Sequence, residues 1–133
     1  MTHWKKHVLR WGPVAAWMGV IYFFSSRPDL PRIDEVWLEM LLRKLAHTAE
    51  YMILGALLAR AAGVNGWRGV ALVSTIGALY AATDEWHQTF VPNRKGNVWD
   101  SLLDSAASVG GAYLWFRLRP QFLTTKTRRE QRP

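Results

Sequence analysis

Residues 69–83 read Gly-Val-Ala-Leu-Val-Ser-Thr-Ile-Gly-Ala-Leu-Tyr-Ala-Ala-Thr, a run without a single charge, and the next five, Asp84-Glu85-Trp86-His87-Gln88, carry three titratable groups. A helix through 69–83 has no polar face, whereas a helix of a soluble bundle shows charges every three or four residues on its outer side. Three other stretches repeat the pattern: Trp11–Phe24 has no charge, Leu45–Ala59 holds only Glu50 and His47, and Ser101–Phe116 holds only Asp104. Each apolar core is shorter than the roughly 20 residues that span a bilayer, and interfacial Trp, Tyr, Lys and Arg at the ends supply the missing turn. Small residues recur within them (Gly55, Ala56, Ala59; Ser74, Gly77, Ala78; Ser105, Ser108, Gly111), as suits close helix approach in lipid. The pattern predicts an all-α, four-span transmembrane helical bundle, with spans over about 8–25, 44–62, 67–87 and 98–118 in one domain covering 1–133.

The 133 residues carry 17 Lys plus Arg, 10 Asp plus Glu, a formal charge of +7 and no cysteine. That length allows one domain, and the absence of cysteine excludes disulfides, thiolate nucleophiles and cysteine-ligated metals. Mean hydropathy is −0.07, an average that mixes apolar spans with charged ends. If the termini and the second loop share one side, that side holds eleven basic residues against Glu130, and the other holds six basic residues and nine acids. The positive-inside rule then places both termini in the cytoplasm. Basic charge of this kind reports membrane orientation rather than nucleic-acid binding. The first span, followed by Ser25-Ser26-Arg27-Pro28 with no small-x-small cleavage pattern, reads as an uncleaved helix.

Between spans one and two, Ile33, Val36, Trp37, Met40 and Leu41 recur at helical spacing opposite Asp34, Glu35 and Glu39, which predicts a short amphipathic interfacial helix. Thr89–Val98, with Pro92, Asn93 and Gly96, reads as a tight helical hairpin. The basic tail 119–133 reads as frayed.

Polar residues of spans two, three and four gather at one end. Lys44, His47 and Tyr51 share a helix face with Glu50 beside them, Asp84, Glu85, His87 and Gln88 close the third span, and Asp100 and Asp104 open the fourth. Such groups are costly in lipid and face a bundle interior or a wet cavity. His47 and His87 are the candidate bases or nucleophiles, with Asp84 and Asp104 to orient them or act as acid. Lys44, Glu50, Tyr51, Glu85, Gln88, Arg94, Lys95 and Asp100 are the candidate substrate-binding residues, the cations for an anion. Each has a structural alternative: Lys44 snorkelling, Asp100 serving the start of its helix three residues after Asn97, Arg94 as an ion-pair partner, and His47 and Glu50 as interhelical hydrogen-bonding groups. Asp84-Glu85-x-His87 also matches a helicase string, but no phosphate-binding Gly-rich loop accompanies it. A metal on His87, His47 and Asp104 would follow no established ligand spacing, and the sequence leaves metal and cofactor open.

At these residues the chain resembles the VanZ-like family of small bacterial membrane proteins. The match runs from Phe24-Ser25-Ser26 through Lys44-Leu45-Ala46-His47 and Glu50-Tyr51 to Asp84-Glu85-x-His87-Gln88-x-Phe90-x-Pro92-x-Arg94, then Asp100, Asp104 and Gly111. Asn93 stands where the family usually has Gly, Asp104 where Asn is common and Ala107 where Gly is common. The resemblance implies a multi-pass protein of the bacterial inner membrane, linked in some members to tolerance of teicoplanin-type antibiotics. Three functions follow as expectations: a polar pocket that binds or processes an anionic, phosphate-bearing membrane lipid or lipid-linked cell-wall precursor, with hydrolysis or transfer at the phosphate as its enzymatic form; a non-enzymatic scaffold or lipid-binding module whose polar layer is structural; and a small transporter. Oligomeric state is left open.

Overall fold

The structure, a computed structural model, describes residues 2–28 and 36–130, with side chains as far as 119. Four helices make up the regular structure of the described residues: α1 (His3–Ser25), α2 (Val36–Ala62), α3 (Trp67–Gln88) and α4 (Val98–Glu130). The helical runs thus follow the apolar stretches of the sequence. Among the described residues no helix is long and apolar enough to cross a membrane.

Two boundaries differ from expectation. Val36, Trp37, Met40 and Leu41 are the first turns of α2 and not a separate interfacial helix. Nothing between Val36 and Leu45 breaks a helix, because Arg43 and Lys44, the charges that divide the two segments in sequence, are themselves good helix formers. Ile33, Asp34 and Glu35 lie outside the described residues. At the other end α4 continues past Arg119 to Glu130, over a segment rich in the straight-chain polar residues that favour helix.

The α2–α3 turn is built by backbone chemistry. Gly63 takes φ 65°, its N–H bonds to Arg60 O at 3.2 Å, and Val64 N–H bonds to Ala59 O at 3.0 Å. These two bonds form a Schellman cap, in which a left-handed residue just past the helix lets the chain return to the last orphan carbonyls. From α4, Arg119 Nη1 donates to the Gly63 and Val64 carbonyls at 3.3 and 2.8 Å. Pro13, inside α1, has no N–H to give to Leu9 O four residues back. Arg60 Nη2 fills that vacancy, donating to Leu9 O at 3.4 Å and Arg10 O at 3.3 Å. Basic residues at this end of the bundle therefore hold backbone together.

The core runs through Val14, Ile21, Tyr51, Leu54, Leu58, Val70, Val73, Ala81 and Ala112. α1 is fastened to its neighbours through carbonyls that accept a second bond: Trp17 Nε1 donates to Glu50 O at 2.9 Å, and Tyr80 Oη donates to Met18 O at 2.7 Å. The closest backbone approach is between α2 and α4. A Cβ on Gly55 would overlap the Ser108 carbonyl, and one on Gly111 would overlap the Met52 carbonyl. That proximity seats the Met52–Ala56 stretch of α2 against the Ser108–Gly111 stretch of α4.

Candidate functional site

The hairpin between α3 and α4 starts with short turns, Thr89, Phe90 and Val91 N–H bonding back to Trp86, His87 and Gln88 carbonyls. Asn93 takes φ 63°, a left-handed conformation that Asn and Gly adopt more readily than other residues. Glu85 then accepts the Asn97 N–H on Oε2 at 2.9 Å, tying the far arm of the hairpin to α3. Asn97 in turn starts α4, its Oδ1 accepting the Trp99 N–H at 3.1 Å, the role expected of a helix N-cap.

With the hairpin folded over, Arg43, Lys44 and His47 of α2, Glu85 and Gln88 of α3, Asn93, Arg94 and Lys95 of the hairpin, and Asp100, Leu103 and Asp104 of α4 line one cavity of about 180 Å³. His47 Nδ1 lies 3.2 Å from Asp104 Oδ2, and Asp104 is fully buried. Lys44 Nζ pairs with Asp100 Oδ1 at 3.3 Å, with side chains 50% and 35% exposed, so this pair adds little to stability. Arg43 pairs with Glu39 one turn earlier in its own helix. Arg94 has no hydrogen-bonded or ion-paired side-chain partner among the described residues, and its Nε is buried without one. Burial, then the neighbouring Arg43 charge, pulls its pKa below the ordinary guanidinium value, while the delocalised charge of the guanidinium keeps it cationic at neutral pH. Arg43 and Arg94 share the cavity wall with Lys44 and Lys95 and with the acids Glu85, Asp100 and Asp104.

Beside the cavity lies a second, fully internal polar cluster. Tyr51 Oη donates to Asp84 Oδ2 at 3.2 Å, and Gln88 Nε2 donates to the same oxygen at 3.3 Å. Tyr51 has no exposed surface and Asp84 is 4% exposed. Asp84 Oδ1, Asp104 Oδ1 and Ser108 Oγ are buried without a hydrogen-bond partner.

The sequence-derived candidates thus separate into three groups. Lys44, His47, Glu85, Gln88, Arg94, Lys95, Asp100 and Asp104 come together on the cavity wall. Tyr51 and Asp84 sit behind it, joined to it through Gln88. Glu50 does not line the cavity, and His87 turns away from it: its Nε2 is 3.0 Å from Ser26 Oγ, and its ring lies 4.7 Å from the Tyr22 ring. His87 and Asp84, one turn apart on α3, thus meet different neighbours, Ser26 and Tyr51. At about 100° per residue, Glu85 and Gln88 fall on one side of Asp84 and His87 on the other, the side covered by α1. Arg43, Asn93 and Leu103 line the cavity without having been singled out. Arg43 was legible, since it stands four residues before His47 and so on the same helix face. No group of three or more His, Asp or Glu among the described residues is arranged to hold a metal ion.

No curated protein and no solved structure matches the chain. A family model does: VanZ/LLP1 matches residues 10–119, a stretch that holds all four described helical cores and every residue of the cavity. The chain belongs to the VanZ/LLP1 family.

Proposed function

We propose that this protein is a multi-pass inner-membrane protein, termini in the cytoplasm, whose cavity opens at the outer face and binds the phosphate of an anionic lipid or lipid-linked envelope precursor. The observation that carries the reading is Arg94, a cation held at the cavity wall beside Arg43, Lys44 and Lys95, with its buried Nε unpartnered and no ion pair to it among the described residues. Family membership is consistent with a place in the envelope, where a change in such a precursor would alter tolerance of glycopeptide antibiotics.

The membrane placement rests on which way side chains point rather than on average hydropathy. α3 lowers its hydropathy with Asp84, Glu85 and Gln88, and α4 with Asp104 and Ser108, all of them buried. Meanwhile Leu72, Leu79, Phe23 and Leu102 are each more than half exposed. Carboxylates inside and leucines outside support a lipid surround over a watery one. The 22 residues of α3 extend about 33 Å at 1.5 Å per residue, close to the ~30 Å hydrocarbon thickness.

Two measurements check this. The chain lacks cysteine, so an Asn93→Cys variant has a clean background; it is expected to react with a membrane-impermeant thiol reagent in intact cells, while a cysteine introduced at Thr2 stays unlabelled until the cells are opened. The reverse pattern would invert the orientation. For the ligand, native mass spectrometry of the purified protein is expected to retain dioleoyl phosphatidic acid and not dioleoyl glycerol. Arg94→Gln should weaken that retention by roughly 10-fold or more, as removal of a charge-assisted bond of about 1.5–3 kcal/mol does. Equal retention of both lipids would overturn the phosphate reading.

A further inference from the structure

His47 presents its two ring nitrogens to different surroundings. Nδ1 faces Asp104 Oδ2, and Asp104 has no exposed surface. A carboxylate in that position holds Nδ1 as the N–H of the neutral ring and leaves the lone pair on Nε2. Nε2 has no protein partner among the described residues, and His47 lies on the cavity wall with Arg43, Lys44, Arg94 and Gln88. The wall that His47 shares carries four cations, Arg43, Lys44, Arg94 and Lys95, and three acids, Glu85, Asp100 and Asp104.

The carboxylates around it narrow the chemistry. Asp104 is engaged with His47, Asp100 with Lys44, and Glu85 with the Asn97 amide. None of these three lining carboxylates is without a partner, and Glu50, one turn after His47 on α2, does not line the cavity, so protonation of the alkoxide leaving group of a simple phosphate ester is poorly served. A phosphoric anhydride needs no such acid, because its leaving group is itself a phosphate, stabilised by cations.

We propose, building on the lipid-phosphate reading above, that His47 Nε2 is the nucleophile that accepts the terminal phosphoryl group of a lipid diphosphate, with Asp104 as the residue that positions it. The Nε2 lone pair forms the N–P bond as the bond from phosphorus to the bridging oxygen breaks. The electron pair leaves on that oxygen, giving a lipid monophosphate held by Arg94 and Arg43. Water then attacks the phosphohistidine, the P–N bond breaks with its electrons returning to Nε2, and orthophosphate and one proton leave to solvent. The net change is one anhydride and one water converted to two phosphates, with no oxidant or further co-reactant.

The test uses the full chain in lipid nanodiscs with farnesyl diphosphate as probe, and reads probe binding, orthophosphate release and an acid-labile, alkali-stable phosphoryl label mapped by mass spectrometry. Wild type is expected to bind, release phosphate and carry the label on His47. His47→Asn, and His47→Gln should the first not fold, are expected to bind near wild-type affinity and lose both release and label. Asp104→Asn is expected to lower kcat by roughly 100-fold with KM nearly unchanged. Its amide would donate to Nδ1 and move the ring proton to Nε2, a KM-against-kcat split that a loss of packing would not give. Binding without release or label overturns the nucleophile and leaves the phosphate-binding reading standing, and release without label on His47 overturns the covalent step. Failure of the wild type to bind the probe, with phosphatidic acid also not retained, overturns the underlying reading itself.

Discussion

Gly111→Val is expected to abolish recovery of a monodisperse protein, and Gly55→Val to do the same. At both positions the obstacle is backbone: a Cβ on Gly111 would overlap the Met52 carbonyl and crowd the Ala56 amide, and one on Gly55 would overlap Ser108. Side chains can repack around an extra methyl, but two helix backbones already in contact can only separate. Alanine at either site should cost about 1–3 kcal/mol, the usual range for overpacking, and the β-branched valine more, since it adds bulk nearer the partner helix. Helix separation would also reach the cavity, because His47 sits two turns from Gly55 along α2 and Asp104 two turns from Gly111 along α4. Gly12→Ala and Gly19→Ala are the matched controls: nothing lies within 4 Å of a Cβ at either position, so both should be neutral or gain up to about 1 kcal/mol from helix propensity. Thermal melting in detergent, read with size-exclusion profiles, checks the series. A Gly111→Ala protein that melts with the wild type would show that α2 and α4 do not approach as described.

The contrast between these glycines shows what a sequence can and cannot disclose about the fold. Helix ends were legible where local chemistry marks them: α2 stops at Ala62 before Gly63, α3 starts at Trp67 after Gly66, and α4 starts at Val98 after Asn97. The start of α2 was not, because Arg43-Lys44 interrupts an apolar pattern without interrupting a helix, and periodicity reads hydrophobicity rather than backbone continuity. Nor does composition separate Gly111, wedged against Met52, from Gly110, whose Cβ would just reach the end of the Met52 side chain. Only the rotation of α4 about its axis distinguishes the two, and rotation is a property of the assembled bundle.

The site divides along the same line. That Lys44, His47, Arg94, Asp100 and Asp104 would share a layer followed from alternating helix direction and the position of each residue in its run. Which of them touch did not follow. His47 could have met Asp84 or Asp100 on sequence grounds, and it meets Asp104 because the α2–α4 contact is the tightest in the bundle. His87 had the same residue type and the same depth as His47, yet α1 lies over its side of α3, and Ser26 and Tyr22 take it up. The sequence held part of that answer in Phe24-Ser25-Ser26, whose polar pair closes the charge-free run Trp11–Phe24 and whose second serine is the one that meets His87.

Tyr51→Phe and Asp84→Asn are expected to act in opposite directions, and together they separate the structural part of the polar layer from the reactive part. Tyr51 is buried completely, and its hydroxyl is one of two side-chain donors to Asp84 Oδ2. Asp84 Oδ1 has no partner, so Tyr51→Phe leaves a buried carboxyl with Gln88 alone. The expected loss is about 1–3 kcal/mol, the cost of stranding a buried polar group, read as a lower melting temperature in detergent. Asp84→Asn keeps an acceptor oxygen for Tyr51 and Gln88 while removing the charge, so stability should hold or rise, because a neutral amide is less costly to bury than a carboxylate. If Asp84 serves only to join α2 to α3, Asp84→Asn retains lipid binding and any phosphate release at wild-type levels, and the Tyr51→Phe/Asp84→Asn double variant is less destabilised than Tyr51→Phe alone. A stable Asp84→Asn protein with abolished binding or turnover would instead place Asp84 in the working site, acting through Gln88, which donates to Asp84 and also lines the cavity.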